Sequence, residues 1–395
     1  MLVVALLAMF AMLAAACGDD DESTTSEAAP EATSEAAPTS AAETTAAEAP
    51  SSEEAATEEA PSSEESVASE TVASEETAAS VDGSGLKIGL VTDVGGLNDR
   101  GFNELGNEGL MRAATELGVQ AEVRESKAPT DYVPNLSYFA TQGYDLVVAV
   151  GFLMAKDLGT VAKQFPDTKF AIIDSSVTGE DIGGATNVSG ILFKEQEAGY
   201  LVGYMVGALH KAGGFKNMND KNTISSVGGV KIPPVDKFIA GYMAGAEAAN
   251  PGMTVLNGYS NDFVDQAKCK ELAADQISKG ADVVFQVAGQ CGLGALEAAA
   301  EANVWGVGVD KDQAGEGPHV LTSAVKRVDE GVFNAIKSVA DGTFTGGSDI
   351  VLGVAEDGVG LGEISPDVPQ EIQDEVAAQV EAIKAGSVTI PTEVP

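Results

Sequence analysis

From Leu86 onward the chain alternates short apolar runs with amphipathic stretches of helical period, and the alternation persists for about 300 residues. Ten runs read as strands, at 87–91, 119–124, 145–150, 168–173, 187–192, 222–227, 253–258, 282–288, 304–309 and 319–325. Helical stretches fall between most of them, for example at Asn103–Leu117, Lys194–His210, Val235–Ala249, Gln266–Ser278 and Gly294–Ala302. Such alternation predicts parallel sheets, because a parallel neighbour is reached only through a long crossover that is usually helical. Ten strands are many for one sheet, and the pattern breaks at a Gly/Asn/Lys-rich loop, Gly213–Lys221. The expected fold is therefore α/β, with two lobes of parallel sheet, flanking helices and a hinge between them. Lobe 1 is expected to span 86–195 plus 326–395, and lobe 2 to span 196–325. The tail reads as a helix (Asp329–Ala340), a short strand near Asp349–Leu352 and a late helix (Pro369–Lys384), all returning to the first lobe.

Everything before this body reads as delivery. Residues 1–16 form an apolar run, too short to span a bilayer at about 20 residues and followed by small residues and a break, as in a secretory leader. Leu13-Ala14-Ala15-Ala16 directly before Cys17 resembles the lipobox of bacterial lipoproteins, which implies lipid on Cys17 as the first mature residue. No Lys or Arg precedes the apolar run, which points to a start upstream of Met1. Residues 17–85 are Ser, Thr, Glu, Ala and Pro in the main, without an aromatic residue. Such a segment cannot bury enough apolar surface to offset chain entropy and is expected to be a disordered linker. As a flexible coil it would reach on the order of 45 Å, further with like-charge repulsion. The expected location is the extracytoplasmic face of the cell membrane, with the body tethered there.

Charge divides along the same boundary. The chain has 61 acidic and 22 basic residues, a formal net charge of −39. Nineteen of the acids lie between Asp19 and Asp82, where there is no Lys or Arg. The body thus retains 42 acids against all 22 basic residues, a net of −20. An acidic body argues against nucleic acid as a partner, since that binding rests on cationic neutralisation of phosphates. Only two histidines exist, His210 and His319, far apart in sequence. A His-rich metal site is excluded, and Ser-His or Cys-His catalysis has almost no material. HExxH, GxSxG and GxxxxGK[ST] motifs are missing. No cofactor and no enzymatic activity are expected, and the body is expected to be monomeric.

Polar residues recur where the apolar runs end. Asp93 follows Ile88–Val91, Asp174 follows Ala171–Ile173, Asp310 follows Val307–Val309, and Lys326 follows Leu321–Val325. Gly289 stands just beyond Val284–Val287, and Phe263 lies past the run that ends near Gly258. Phe102 and Asn103 open the helix that follows Asp93. In open α/β sheets, ligands bind in the crevice beyond the carboxyl ends of strands. Taken singly, each Asp reads as a helix N-cap or loop residue, and Phe102 as a core staple; the repetition turns the group toward a shared site. Carboxylates accept well from vicinal hydroxyls and ring N–H groups, and aromatic faces suit a flat base or the apolar face of a sugar. Three carboxylates against one ammonium would repel a phosphorylated ligand. A neutral polyol carrying a flat heterocycle meets every demand.

The segments VTDVGGLNDRGFN, PDTKFAIIDSS, NVSGILFKEQEAGYLVG, IPPVDKFIAGYMAG, ADVVFQVAGQCGLGALEAA, WGVGVDKDQ and VLTSAVKRVD occur in that order. Together they resemble the basic membrane protein family, the purine-nucleoside-receptor type of lipoprotein, over about residues 86–355. That resemblance implies a type I periplasmic-binding fold of two Rossmann-like lobes, serving an ABC importer by delivering a nucleoside to a membrane permease. It implies a pocket of Asp93, Phe102, Asn103, Asp174, Phe263, Gly289, Asp310 and Lys326. In it Phe102 would stack on the base, Asp310 and Lys326 would hold the ribose with Asp174 in support, and Asp93 and Asn103 would read the remaining polar edge. The block around Phe263, SNDFVDQAKCK, departs from the family's usual glycine–serine run.

Cys269 and Cys291 make a separate case. A right-handed strand–helix–strand unit brings both to the same sheet edge. In an exported protein such a pair reads as a disulfide, worth about 3 kcal/mol by loop length; the alternative is two buried thiols. Other readings of the whole chain are a sugar or polyol receptor on the same fold, an extracellular nucleoside hydrolase using Asp-bound Ca²⁺, and a surface structural protein. Lys326 among the carboxylates weighs against a metal cage.

Overall fold

The computed structural model describes residues 81–395; the expected leader, the lipidated Cys17 and nearly all of the linker lie outside the described residues. Two sheets of six strands organise these residues. The first contains β1 (Lys87–Val91), β2 (Gln120–Arg124), β3 (Leu146–Val150), β4 (Lys169–Ile173), β5 (Val188–Phe193) and β11 (Ser348–Leu352). The second contains β6 (Thr223–Gly228), β7 (Thr254–Tyr259), β8 (Val283–Val287), β9 (Trp305–Asp310), β10 (Val320–Lys326) and β12 (Val359–Leu361). Their orders are β11-β5-β4-β3-β1-β2 and β12-β10-β9-β8-β6-β7. Apart from the tail strands, one order is the other advanced by five. Each reverses direction beside its first strand, between β1 and β3 and between β6 and β8, and the crevice at such a switch point is where α/β sheets take ligands.

Local sequence explains the elements. The central strand β3, LVVAV, is buried at every position, as expected of a parallel strand covered by helices on both faces. Gly89 in β1 faces the ring of Phe139 so closely that a side chain there would overlap it. Helices α1 (Phe102–Glu116), α2 (Tyr132–Thr141), α3 (Ala155–Gln164) and α8 (Val328–Ala340) cover the first sheet; α4 (Glu195–Ala212), α5 (Pro233–Ala249), α6 (Gln266–Ser278) and α7 (Gly289–Ala302) cover the second. The sequence alone set no bounds for α2 and α3 and placed the start of α7 five residues late.

The pair α4 and α5 packs backbone against backbone. A side chain at Gly199 or Gly203 of α4 would run into the carbonyl oxygens of Phe238 or Tyr242, and one at Gly241 or Gly245 of α5 into those of Gln196 or Tyr200. The four-residue spacing of these glycines puts them on one stripe of each helix. This close fit seats α5, and with it Val235 and Phe238, against the rest of the second lobe.

The expected return of the whole tail to the first lobe is corrected by the structure. β11 does join the first sheet, parallel to β5. β12 instead pairs antiparallel with β10, Lys326 opposite Val359, and the last helix, α9 (Gln370–Lys384), packs on α4, with the Tyr200 hydroxyl donating to Gln379 Oε1 at 3.2 Å. The physical reason is the open edge of β10, which a three-residue strand suffices to cover. The chain therefore crosses between lobes after β5, after β10 and after β11. These crossings are tied to one another: the Lys194 N–H donates to Leu352 O at 2.9 Å and the Arg327 N–H to Gly358 O at 2.8 Å.

Replacing Gly203 by Ala is expected to destabilise the chain by about 2–3 kcal/mol through overpacking. Chemical denaturation of the variant checks this; an unchanged midpoint would show that the two helices can separate without loss.

Candidate ligand-binding site

At the carboxyl end of β1 the backbone turns sharply and brings its polar groups inward. The Asp93 N–H donates to Asn103 Oδ1 at 2.9 Å, and the Asn103 amide donates back to Val94 O at 3.3 Å. Asp93 Oδ1 accepts from the Val94 N–H at 2.7 Å and from the Tyr132 hydroxyl. Gly151, after β3, leaves room for this carboxylate: a Cβ there would lie 2.5 Å from Asp93 Oδ2, and its φ of +133° is one that L side chains rarely adopt. Asp99 anchors the start of α1 by accepting from the N–H groups of Gly101, Asn103 and Glu104 at 3.1, 2.7 and 3.1 Å. That cap fixes the ring of Phe102, the first residue of the helix.

The ends of β4 and β9 share a conformation. Asp174 has φ +71° and Asp310 φ +63°, the left-handed region that costs a residue other than Gly about 1 kcal/mol or more, least for Asn and Asp. Both side chains are buried. Lys326, only 1% exposed at the end of β10, reaches across from the second sheet to the first. Its Nζ lies 2.6 and 2.7 Å from the two oxygens of Asp174 and 3.0 Å from Glu195 Oε1. The other oxygen of Glu195 holds Lys237 Nζ at 3.1 Å. Rings of Phe102, Phe193 and Phe238 surround the ammonium with centroids at 5.2, 5.1 and 5.9 Å, close enough for cation–π attraction. Asp310 stands apart from this network. Among the described residues its carboxylate makes no hydrogen bond to the protein.

Burial sets the proton affinities. It raises Asp93 to about 6, against the opposing bonds from Tyr132 and Val94. It raises Asp174 to about 6 although Lys326 pulls the other way, and Asp310 to about 7. Desolvation disfavours the ammonium of Lys326, but Asp174, Glu195 and Asp310 outweigh it and hold the group firmly protonated.

All eight residues singled out from the sequence, Asp93, Phe102, Asn103, Asp174, Phe263, Gly289, Asp310 and Lys326, line one cavity between the two sheets. Cys269 and Cys291, also singled out, are joined in a disulfide beside it, Cα atoms 5.6 Å apart. The sequence reading missed Asp99, Gly151, Phe238 and Gln290, which line the same cavity, and Glu195 beneath it. Glu195 carries no signal in sequence, since a Glu in the first turn of a helix is ordinary; Phe238 has the helical spacing of a core residue. Gly151 directly after the apolar run of β3 was the one usable clue. On one side the lobes also meet at the surface, through Lys311 with Glu104 and Glu108 at 3.0 and 2.7 Å and Arg100 with Glu316 at 3.0 Å.

The site offers hydrogen-bond acceptors, a fixed cation among them, and aromatic rings from both lobes. Neither histidine lines it: His210 pairs with Asp282 at 3.0 Å elsewhere. Among the described residues no group of His, Cys, Asp and Glu has metal-holding geometry.

The described chain is similar to known proteins along nearly all of its length. The sequence model of a family described as Bmp, ABC transporter substrate-binding protein PnrA-like, matches residues 87–393. The ABC transporter nucleoside-binding protein BmpA of Lactococcus lactis subsp. cremoris is 31% identical over 78% of this chain and 89% of its own length. An uncharacterized lipoprotein of Pyrococcus horikoshii is 37% identical over 71% of this chain and 70% of its own. A crystal structure of an ABC transporter solute-binding protein from Aeropyrum pernix K1 superposes with a TM-score of 0.69 at 28% identity, over 78% of this chain and 94% of that one.

The raised Asp310 predicts a pH-dependent stability. Its folded-state pKa of about 7 exceeds the unfolded value of about 4, so the folded chain holds the extra proton between those values and loses stability as pH rises through them. Asp310→Asn, which keeps the left-handed backbone, is expected to melt several degrees above the parent at pH 8, with the gap shrinking to about a third of that at pH 5. Thermal melts of ligand-free protein at the two pH values check this; an equal gap at both would show that Asp310 is not the group responsible.

Proposed function

The chain belongs to the Bmp family of PnrA-like ABC transporter substrate-binding proteins, and on that premise we propose that its cavity takes a purine nucleoside for delivery to a membrane permease. The observation that carries this reading is the make-up of the cavity lining, which combines aromatic side chains of both lobes, Phe102 and Phe263, with Asp174, Asp310 and Lys326. Rings provide flat faces for a base. The carboxylates provide acceptors for ribose hydroxyls, and Asp310 is the acceptor left without a protein donor. Asp93 and Asn103, locked to each other at 2.9 Å, offer fixed polar atoms to the edge of the base. A sugar alone would leave the rings from both lobes underused, and the nucleoside-binding relative from Lactococcus lactis supports the fuller ligand.

A receptor role suits the electrostatics better than hydrolysis. Cleaving a nucleoside needs an activated water, and the buried carboxylates here are held by Lys326 or stand at the end of a strand with no His or metal cluster beside them. Membrane attachment is the companion proposal: Cys17 carries lipid, and the linker to residue 85 holds the body off the extracytoplasmic face. A relative named as a lipoprotein supports this. Intact-mass analysis of the native N-terminus checks it, with an added diacylglyceryl group on Cys17 expected and an unmodified chain counting against it.

Calorimetry with inosine, adenosine and guanosine is expected to give binding, with the nucleoside recovered intact. The corresponding 5′-monophosphates should bind at least about 100-fold more weakly, because a dianion would enter beside three buried carboxylates. Asp174→Asn and Asp310→Asn should each weaken nucleoside binding tenfold or more, on the order of 1.4 kcal/mol. Ribose binding as tight as inosine would favour the sugar reading; release of free base would favour an enzyme.

A further inference from the structure

The two aromatic walls of the cavity are held in different ways. Phe102 sits in the first turn of α1, where the three N–H groups bonded to Asp99 fix the backbone around it. Phe263 lies on a loop, residues 260–265, outside any helix or strand. The start of that loop is tied to the second sheet: the N–H groups of Ser260 and Asn261 donate to Gly228 O and Gly229 O at 2.9 and 3.0 Å. Beyond Phe263 the chain enters α6, and Asp262 Oδ1 accepts from the N–H groups of Val264 and Asp265 at 2.8 and 3.0 Å. Among the described residues, the main-chain hydrogen bond at Phe263 itself is accepted by its carbonyl from the Cys291 N–H, at 3.0 Å.

Cys291 is therefore the main-chain anchor at Phe263 itself, and Cys291 is bonded to Cys269 in the first turn of α6. The bridge joins the first turns of α6 and α7 at a place where they already approach closely: a side chain at Gly294 would overlap Gln266 O. Both cysteines are fully buried. Two glycines complete the seat. A side chain at Gly229 would collide with the Phe263 ring, and a Cβ at Gly289, φ +55°, would stand 3.8 Å from it. The loop thus has a prepared socket for the ring and a covalent stop behind it.

We propose that the Cys269–Cys291 disulfide is a positioning device for ligand binding, which holds the Phe263 wall of the cavity in register with the opposite lobe. This rests on the nucleoside reading above and assigns the bridge a role beyond stabilising the fold. A bridge that only restricts the unfolded chain would alter melting and leave affinity alone. One that pre-organises a wall alters affinity, because the ordering of the loop is then borne before the ligand arrives rather than during binding.

The test is a double-mutant cycle on the full chain. Cys269→Ser/Cys291→Ser is made with Phe263 present and in a Phe263→Ala background, and inosine affinity is measured by calorimetry well below each melting temperature. Loss of the bridge is expected to weaken inosine about tenfold when Phe263 is present and less than twofold when it is absent. Equal losses in both backgrounds, or no loss in either, overturn the proposal. Gly229→Ala, which keeps the bridge and crowds the ring, gives an independent arm. It should weaken inosine several-fold with little change in melting temperature, and unaltered affinity in that variant overturns the proposal even where the serine variant fails to fold. Failure of the parent chain to bind inosine or any other nucleoside removes the underlying reading and this proposal with it; binding by the parent with a flat cycle removes this proposal alone.

Discussion

Lys326 is the group around which the rest of the structure is arranged. A fully buried ammonium is expensive to desolvate, and the attraction of its partners repays that only when every proton is well placed. Here the partners come from separate places: Asp174 from the first sheet, Glu195 from the crossing after β5, and three aromatic rings around the stem and head. Removing a single partner from such a set typically costs about 3–5 kcal/mol, since the remaining charge is left uncompensated. Lys326 itself sits where β10 leaves the second sheet and the chain returns to the first. One charge thus joins the two lobes, the chain crossings and the cavity.

The chemistry of the cavity follows from that arrangement. Because Lys326 is already satisfied by Asp174 and Glu195, it is not a free cation seeking an anion. It steadies one carboxylate and leaves Asp310 buried and without a protein donor. Burial makes this group costly to keep charged, as its raised proton affinity reflects. A hydrogen bond donated to it would relieve that cost.

Much of the fold was legible because strand and helix periods differ. Runs such as Leu146–Val150 announce buried parallel strands, and the break at Gly213–Lys221 marked the passage to the second sheet. The polar residues of the site were legible by position, since Asp93, Asp174, Asp310 and Lys326 each close an apolar run; their individual roles came only with the family resemblance. What stayed hidden depends on contacts between segments far apart in sequence. The stripe Gly199, Gly203 and its partners Gly241 and Gly245 read as small residues in a helix until the two backbones are seen to touch. Nothing local in Val359–Leu361 says that it will cover β10. Glu195 and Phe238 look like any first-turn acid and any core aromatic, and they matter through a lysine 131 and 88 residues away.

The left-handed backbone at Asp174 and Asp310 has a consequence for how such a receptor can change over time. Gly, Asn and Asp sit there at least cost, and another residue is disfavoured by about 1–2 kcal/mol. At these two positions the chemical alphabet is therefore weighted toward three letters: a carboxylate, an amide or no side chain. A substitution outside them carries a penalty in stability that a neighbouring change would have to offset. The folded backbone thus narrows the chemistry that these two positions can present to the cavity.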